Sequence, residues 1–255
     1  MTVRICHVIF STNRIEYLSR TLRAQQNFDY TGCEVDRILI DDYPRGRNNL
    51  LITALARSFG FNEIHLHAEN MGITRNWQYF FSLIRDRGYD YIMHQEDDVE
   101  VMYPTPVMDM VDLLRLDTRL SQVQLKRNNW YAHETEPVGP RDTDWFFRNY
   151  RYEIDNPYFW MMTSLCPAWI AQEPVLEVMG ANPSESVMSN YLRTHHGLQT
   201  ALLKTQQGGI MVNHIGQYNR GIKVVPGEPG WELFQNLDNK INYNSQNGSY
   251  WDWHP

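Results

Sequence analysis

Four short apolar runs, each closed by a polar cluster and separated from the next by a helix-like stretch, constrain the N-terminal part of this chain more than any other feature. Arg4 to Phe10 reads as a buried strand and breaks at Ser11 to Arg14; Ile15 to Gln26 then has helical spacing, with Leu18 and Leu22 on one face. Val35 to Ile40 ends at Asp41 and Asp42 and leads into a helix-like stretch from Asn49 to Phe59. Glu63 to His67 is a third strand, Ile73 to Arg85 a third helix rich in aromatic residues, and Tyr89 to Met93 a fourth strand. Strands and helices that alternate in this way predict an α/β fold with a doubly wound, mostly parallel central sheet. Ligands of such sheets bind beyond the carboxyl ends of the strands. Ser11 to Arg14, Asp41 and Asp42, and the acids Glu96, Asp97 and Asp98 would all face that crevice.

The alternation loosens after Pro104. Val107 to Leu116 reads as a helix and Ser121 to Leu125 as a strand, but Asn128 to Tyr158 is polar and aromatic with little period. Apolar runs return at Tyr158 to Met162 and Cys166 to Ile170, followed by a helix over Ser184 to Thr194 and a last strand over Ile210 to Ile215. The tail from Gly227 to Pro255 is rich in Gly, Pro, Asn and aromatic residues. We expect one domain across the 255 residues.

Composition excludes several classes. A net charge of -7 gives no global attraction for nucleic acid, whose affinity rests on neutralised phosphates. No apolar run approaches the roughly 18 residues that cross a bilayer, and MTVRICHVIF begins at once with strand-like residues instead of a signal sequence. A soluble, cytoplasmic protein is therefore the expectation. The three cysteines, Cys6, Cys33 and Cys166, are widely separated and lack metal or redox spacing, so we read them as reduced and buried.

Chemistry concentrates where YDYIMHQEDDVEV turns from apolar to acidic. Packed carboxylates at a strand end repel one another and lose solvation, so they usually hold something positive. A hard divalent cation is the simplest candidate, with water and a diphosphate completing its shell. The bland alternative is a solvated turn.

The segments VIFSTNRIEYLSRTL, ILIDD, ENMGITRNW, YIMHQEDD and VNHIG resemble, in order and approximate spacing, the GT-A fold glycosyltransferases, most closely the family-two-like group. The resemblance is clear over residues 4–100 and patchy afterwards. It implies a Rossmann-like GT-A sheet with a nucleotide-sugar-binding half over 1–103, a smaller irregular acceptor-binding half over 104–226, and the tail over 227–255. The implied reaction is metal-dependent transfer of a sugar from a nucleoside-diphosphate donor, a UDP-sugar first, to a hydroxyl of a glycan, glycoconjugate or small molecule. Inversion with a carboxylate base is expected.

By the same resemblance Asp98 is the first metal ligand and His214 the second, and an imidazole suits Mn²⁺ better than Mg²⁺. The family's acidic motif reads DxD; here Glu96 stands first, and Glu96 or Asp97 would hold ribose or metal-bound water. Asp41 and Asp42 match the pair that reads the donor's base and ribose, with a helix cap as the alternative. Ser11, Thr12 and Arg14 would approach the nucleotide, and Arg75, beside Asn76, the diphosphate. Glu185 matches the catalytic base and also suits the first turn of a helix, while Asp142, Asp144 and Glu153 stand in reserve.

Aromatic residues between Asn128 and Trp160, with Gln124, either wall an acceptor site or form a second core. His65 and His67 share a strand face with no acid beside them and read as structural; His195 and His196 read as surface. A viral enzyme that glycosylates modified DNA bases is one alternative, but Lys126, Arg127, Arg141, Arg148 and Arg151 are interleaved with acids. A nucleotidyltransferase is another, though STNRIEYLSR lacks the glycines of its usual loop. An inactive nucleotide-binding module is the third. The oligomeric state is not legible.

Overall fold

Strand β1, Val3–Ser11, is buried on both faces, which is why it reads as a continuous apolar run. Its alternate residues serve different cores. Cys6, Val8 and Phe10 pack with Trp77, Phe80 and Phe81, whereas Ile9 packs with Leu18, Leu22, Ile52 and Phe61. The computed structural model describes residues 2–42, 48–127, 145–155, 162–173 and 184–215, and the backbone of 242–243 and 253–254. Two compact units result, Met1–Asn213 and His214–Pro255.

In the first unit β1 leads to α1 (Ile15–Ala24), a 3₁₀ turn (Gln25–Asn27), β2 (Phe28–Asp29), β3 (Cys33–Asp41), α2 (Asn49–Ser58), β4 (Glu63–Leu66) and α3 (Gly72–Ile84). Then come β5 (Tyr91–Glu96), β6 (Val99–Val101), β7 (Thr105–Pro106), α4 (Val107–Leu116) and β8 (Leu120–Leu125). The remainder supplies β9 (Trp145–Phe147), β10 (Tyr150–Asp155), β11 (Ser164–Pro167), α5 (Ser184–His196), β12 (Gln199–Thr205) and β13 (Val212–His214). In the second unit β14 (Asn242–Tyr243) pairs antiparallel with β15 (Trp253–His254).

The 9-stranded sheet has the order β4-β3-β1-β5-β11-β8-β12-β10-β9. Its first four strands are mutually parallel. Of the other five only β11 and β10 run against that direction, as the antiparallel β11–β5, β11–β8, β10–β12 and β10–β9 ladders and the parallel β12–β8 ladder require. The sheet is therefore mixed but mostly of one direction, as the alternation predicts. Apolar residues of α3 and α5 pack on one face. Those of α1, α2 and α4 pack on the other. This places the carboxyl ends of β1, β3, β4 and β5 together at one edge of the molecule, with Ser11, Asp41 and Glu96 as their last or near-last residues.

The structure corrects several sequence readings. The fourth strand runs Tyr91–Glu96, two to three residues later than expected, so Glu96 is still in the ladder opposite Phe10. The stretch read as irregular contains the β9–β10 hairpin. Tyr150 and Tyr152 of that hairpin join the main core, while Trp145 and Phe146 are exposed. The run Cys166 to Ile170 splits between β11 and a 3₁₀ helix. Strand β12 escapes a sequence reading because Gln199, Thr200 and Lys204 break its apolar pattern, although Thr200 and Lys204 are buried. Cys6 and Cys166 are buried free thiols, but Cys33 is only half-buried. Among the described residues no helix is long and apolar enough to cross a membrane.

One core residue ties this fold to pH. His7 on β1 is fully buried, and desolvation, reinforced by the charge of Arg37, pushes its pKa down to about 3. The folded state keeps His7 neutral while the unfolded chain protonates it below its ordinary value of 6.5. Stability from this group is therefore complete above that value and falls as the pH drops toward the folded pKa, by roughly 1 kcal/mol per pH unit. Urea unfolding between pH 7 and pH 4.5 should show this decline, and His7→Gln should make it shallower by about one proton.

Candidate functional site

At the end of β5 the chain turns through Asp97 and Asp98 into β6, and all three acids are buried, Glu96 at 9% exposure and the other two at 0%. The turn is held by backbone and side chain alike. The Asp97 amide donates to the Phe10 carbonyl at 2.9 Å, and the Thr21 hydroxyl donates to the Asp97 carbonyl at 2.7 Å.

Glu96 is the last residue of β5 while Asp97 and Asp98 form the turn, and the three carboxylates have different partners. The Asp97 carboxylate turns toward the loop after β1. It accepts from the Ser11 hydroxyl at 3.1 Å, the Thr12 amide at 3.2 Å and Arg14 Nε at 3.2 Å. Arg14 also places Nη2 on Asp97 and Nη1 2.9 Å from Asp98 Oδ2. In this structure Ser11, Thr12 and Arg14 thus converge on the acid turn. Burial works against the Arg14 guanidinium, but the adjacent carboxylates more than offset it and raise its pKa, so it stays charged. Burial, helped by the charge of Asp98, pushes Asp97 upward against the pull of Arg14.

Glu96 and Asp98, the latter also paired with Arg14, come close to His214. Each offers a ligand atom which, with a nitrogen of His214, falls within 4.8 Å of the other two. His214 ends β13, a strand whose other residues belong to the first unit and which pairs with β6. The preceding Asn213 donates to Glu100 on β6 at 3.3 Å, and Glu100 accepts both Nε and Nη2 of Arg20 at 2.7 and 3.0 Å. Ligands about 2.1 Å from one ion lie at most about 4.2 Å apart, so a small adjustment suffices for these three to share a cation. Two carboxylates and an imidazole form a mixed oxygen and nitrogen set that fits Mn²⁺ and leaves coordination positions for other oxygens.

The second strand end is organised around backbone amides. Asp42 accepts from the amides of Met71 at 2.6 Å and Gly72 at 2.8 Å, and from the Asn76 side chain. It thereby caps the start of α3 from the end of the neighbouring strand. Burial raises its pKa against these three hydrogen bonds. Gly72 has φ +72, and a Cβ placed there would meet nothing within 4 Å, so conformation and not space demands glycine. Asp41 accepts the Asn13 amide at 2.9 Å, and Asn13 itself sits at φ 61, a left-handed conformation that Asn tolerates better than most side chains. Asn76 is buried and Arg75 exposed in the same helical turn.

Other expected residues fall elsewhere. Glu185 lies in the first turn of α5, and its side chain is outside the described residues, as are Asp142 and Asp144. Glu153 is buried in an ion pair with Lys204. Contrary to the sequence reading, His65 does have an acid beside it: Glu63, two residues earlier on the same strand face, lies 2.9 Å from its Nε2. His195 and His196 are exposed at the end of α5. Sequence reasoning missed Asn13, Gln95 and Glu100, whose roles depend on contacts across strands.

Because Arg14 is the counter-charge for two buried carboxylates, Arg14→Met should destabilise the fold by about 3 kcal/mol at pH 7. The loss should shrink as the pH is lowered and the carboxylates protonate. Chemical denaturation at pH 7 and pH 5 measures both.

No family model and no curated protein matches the chain. Solved structures do. The structure of GalNAc-T7 with UDP, GalNAc and Mn²⁺ matches with TM-score 0.57 at 10% identity, covering 93% of this chain and 54% of that one. S. aureus TarS matches with TM-score 0.54 at 11% identity over 85% of this chain and 37% of that one. S. aureus TarS 1-349 in complex with UDP matches with TM-score 0.50 at 11% identity over 83% and 60%. The chain spans less than two thirds of each of these structures. At these identities the likeness establishes the fold, which is that of the GT-A-type glycosyltransferases.

Proposed function

We propose that this chain is a metal-dependent glycosyltransferase that moves a sugar from a nucleoside diphosphate to a hydroxyl acceptor. The observation that carries the proposal is the convergence of Glu96, Asp98 and His214, buried at the carboxyl end of a doubly wound sheet. Those three residues would hold Mn²⁺ or Mg²⁺, whose charge offsets the negative charge that gathers on a departing diphosphate. A UDP-sugar is the first donor to test, since two of the fold neighbours were solved with UDP.

The other residues divide the remaining work. Asp41 and Asp42, with Asn13 and the α3 amides, shape the crevice where base and ribose would lie. Arg75, exposed at the start of α3, would be the cation aimed at the diphosphate. Asp97 and Arg14 hold the acid turn in place and keep its charge balanced. As the acceptor oxygen bonds to the anomeric carbon, the bond to the diphosphate breaks and the diphosphate leaves with the electron pair. Glu185 takes the acceptor's proton, and a single attack on the face opposite the leaving diphosphate makes the reaction inverting.

A glycan, glycoconjugate or small-molecule acceptor is proposed ahead of DNA. Arg148, one of the basic residues a DNA reading relies on, is paired with both Asp109 and Asp112.

Calorimetric titration of UDP, GDP, CDP and TDP with Mn²⁺ and then with EDTA tests the donor site. One nucleotide should bind with an affinity that falls at least tenfold in EDTA, and Asp98→Asn should reproduce that loss with the metal present. No binding to any of the four with Mn²⁺ present would sink the proposal. Glu185→Gln should lower transfer by a factor of at least about 100 while nucleotide affinity stays within about twofold. A fully active variant would remove Glu185 from the mechanism.

A further inference from the structure

We infer that Gln95 is a positioning residue for the acid turn, setting the spacing of Glu96 and Asp98 through a directed hydrogen-bond chain that begins in the core. The inference rests on the metal-site reading above. Gln95 is fully buried on β5, immediately before Glu96, and its side chain lies on the opposite sheet face from that of Glu96.

Its amide closes the turn. Gln95 Nε2 donates to the Val99 carbonyl at 2.9 Å, a bond that spans Glu96, Asp97 and Asp98 from one flank to the other. A backbone carbonyl only accepts, so this bond fixes which end of the Gln95 amide is nitrogen. Gln95 Oε1 then faces inward, 3.3 Å from His7 Nε2 and 3.2 Å from Gln25 Nε2. An amide oxygen cannot donate, so the proton of neutral His7 resides on Nε2. His7 Nδ1 is therefore an acceptor, and the Tyr30 hydroxyl, 2.8 Å away, donates to it. Every member has its orientation set by the next: Tyr30 to His7, His7 and Gln25 to Gln95, Gln95 to Val99.

The chain adds a bond to those that already hold the turn. The contacts of Phe10 and Thr21 hold Asp97, and Arg14 joins Asp97 to Asp98. The Gln95 bond ties the two flanks together, and flank separation sets how far Asp98 stands from Glu96. Groups that orient ligands without touching metal typically alter affinity 10- to 100-fold when removed.

The test measures Mn²⁺ affinity directly, by electron paramagnetic resonance of free Mn²⁺ against the full chain with UDP present, independent of turnover. Gln95→Met keeps length and neutrality, and should weaken Mn²⁺ binding at least tenfold while leaving the far-ultraviolet spectrum unchanged. Gln25→Met removes one donor to Gln95 but spares the bond to Val99, and should stay within twofold of the parent. Should Gln95→Met fail to fold because the His7 donor is stranded, His7→Leu/Gln95→Met removes both partners together and should show the same tenfold loss. Parent-like Mn²⁺ affinity in a folded Gln95 variant overturns the inference and leaves the metal site standing. Absence of Mn²⁺ binding by the parent overturns the metal reading and the inference with it.

Discussion

Three carboxylates buried in succession are costly to desolvate, and the structure around the end of β5 is organised by how they are compensated. Arg14 supplies a full positive charge to Asp97 and Asp98. Ser11, Thr12 and Thr21 supply hydrogen bonds to the Asp97 carboxylate and carbonyl. These contacts join the loop after β1, helix α1 and the acid turn into one rigid edge. Asp97 is thereby committed to the protein interior. Glu96 and Asp98, the latter still paired with Arg14, lie beside His214.

The same logic operates at the neighbouring strand end with dipoles in place of charges. Asp42 reaches across to the first amides of α3, where the positive end of the helix favours a carboxylate. Both strand ends therefore use acids to pin loops, and the pinned loops determine which remaining polar groups face outward. Behind them the core network of Tyr30, His7 and Gln95 connects apolar packing to the flanks of the turn.

Much of the fold was legible. The parallel half was readable because β1, β5 and the end of β3 are continuous buried runs and amphipathic helices separate the strands, so that two periodicities alternate. Helix α4 begins and ends at the residues its sequence predicts, Val107 and Leu116. The half beyond Leu125 was harder: β10 and β12 carry Glu153, Thr200 and Lys204 on strands whose neighbours bury them, so no clean alternation appears. Lys204 reads as exposed until Glu153 on the adjacent strand is known to meet it.

What the sequence determined by itself is local: which segments are strands and helices, that polar clusters follow the strands, and that Glu96, Asp97, Asp98 and His214 are residues with metal-binding chemistry. These depend on the periodicity and composition of neighbouring residues. Only the tertiary structure decided the division of labour, because it arises between residues far apart in the chain. Asp97 turns to Arg14, 83 residues away, and Gln95 to His7, 88 residues away. Burial of charge is a property of the assembled sheet, and so is the set of partners that each carboxylate meets there.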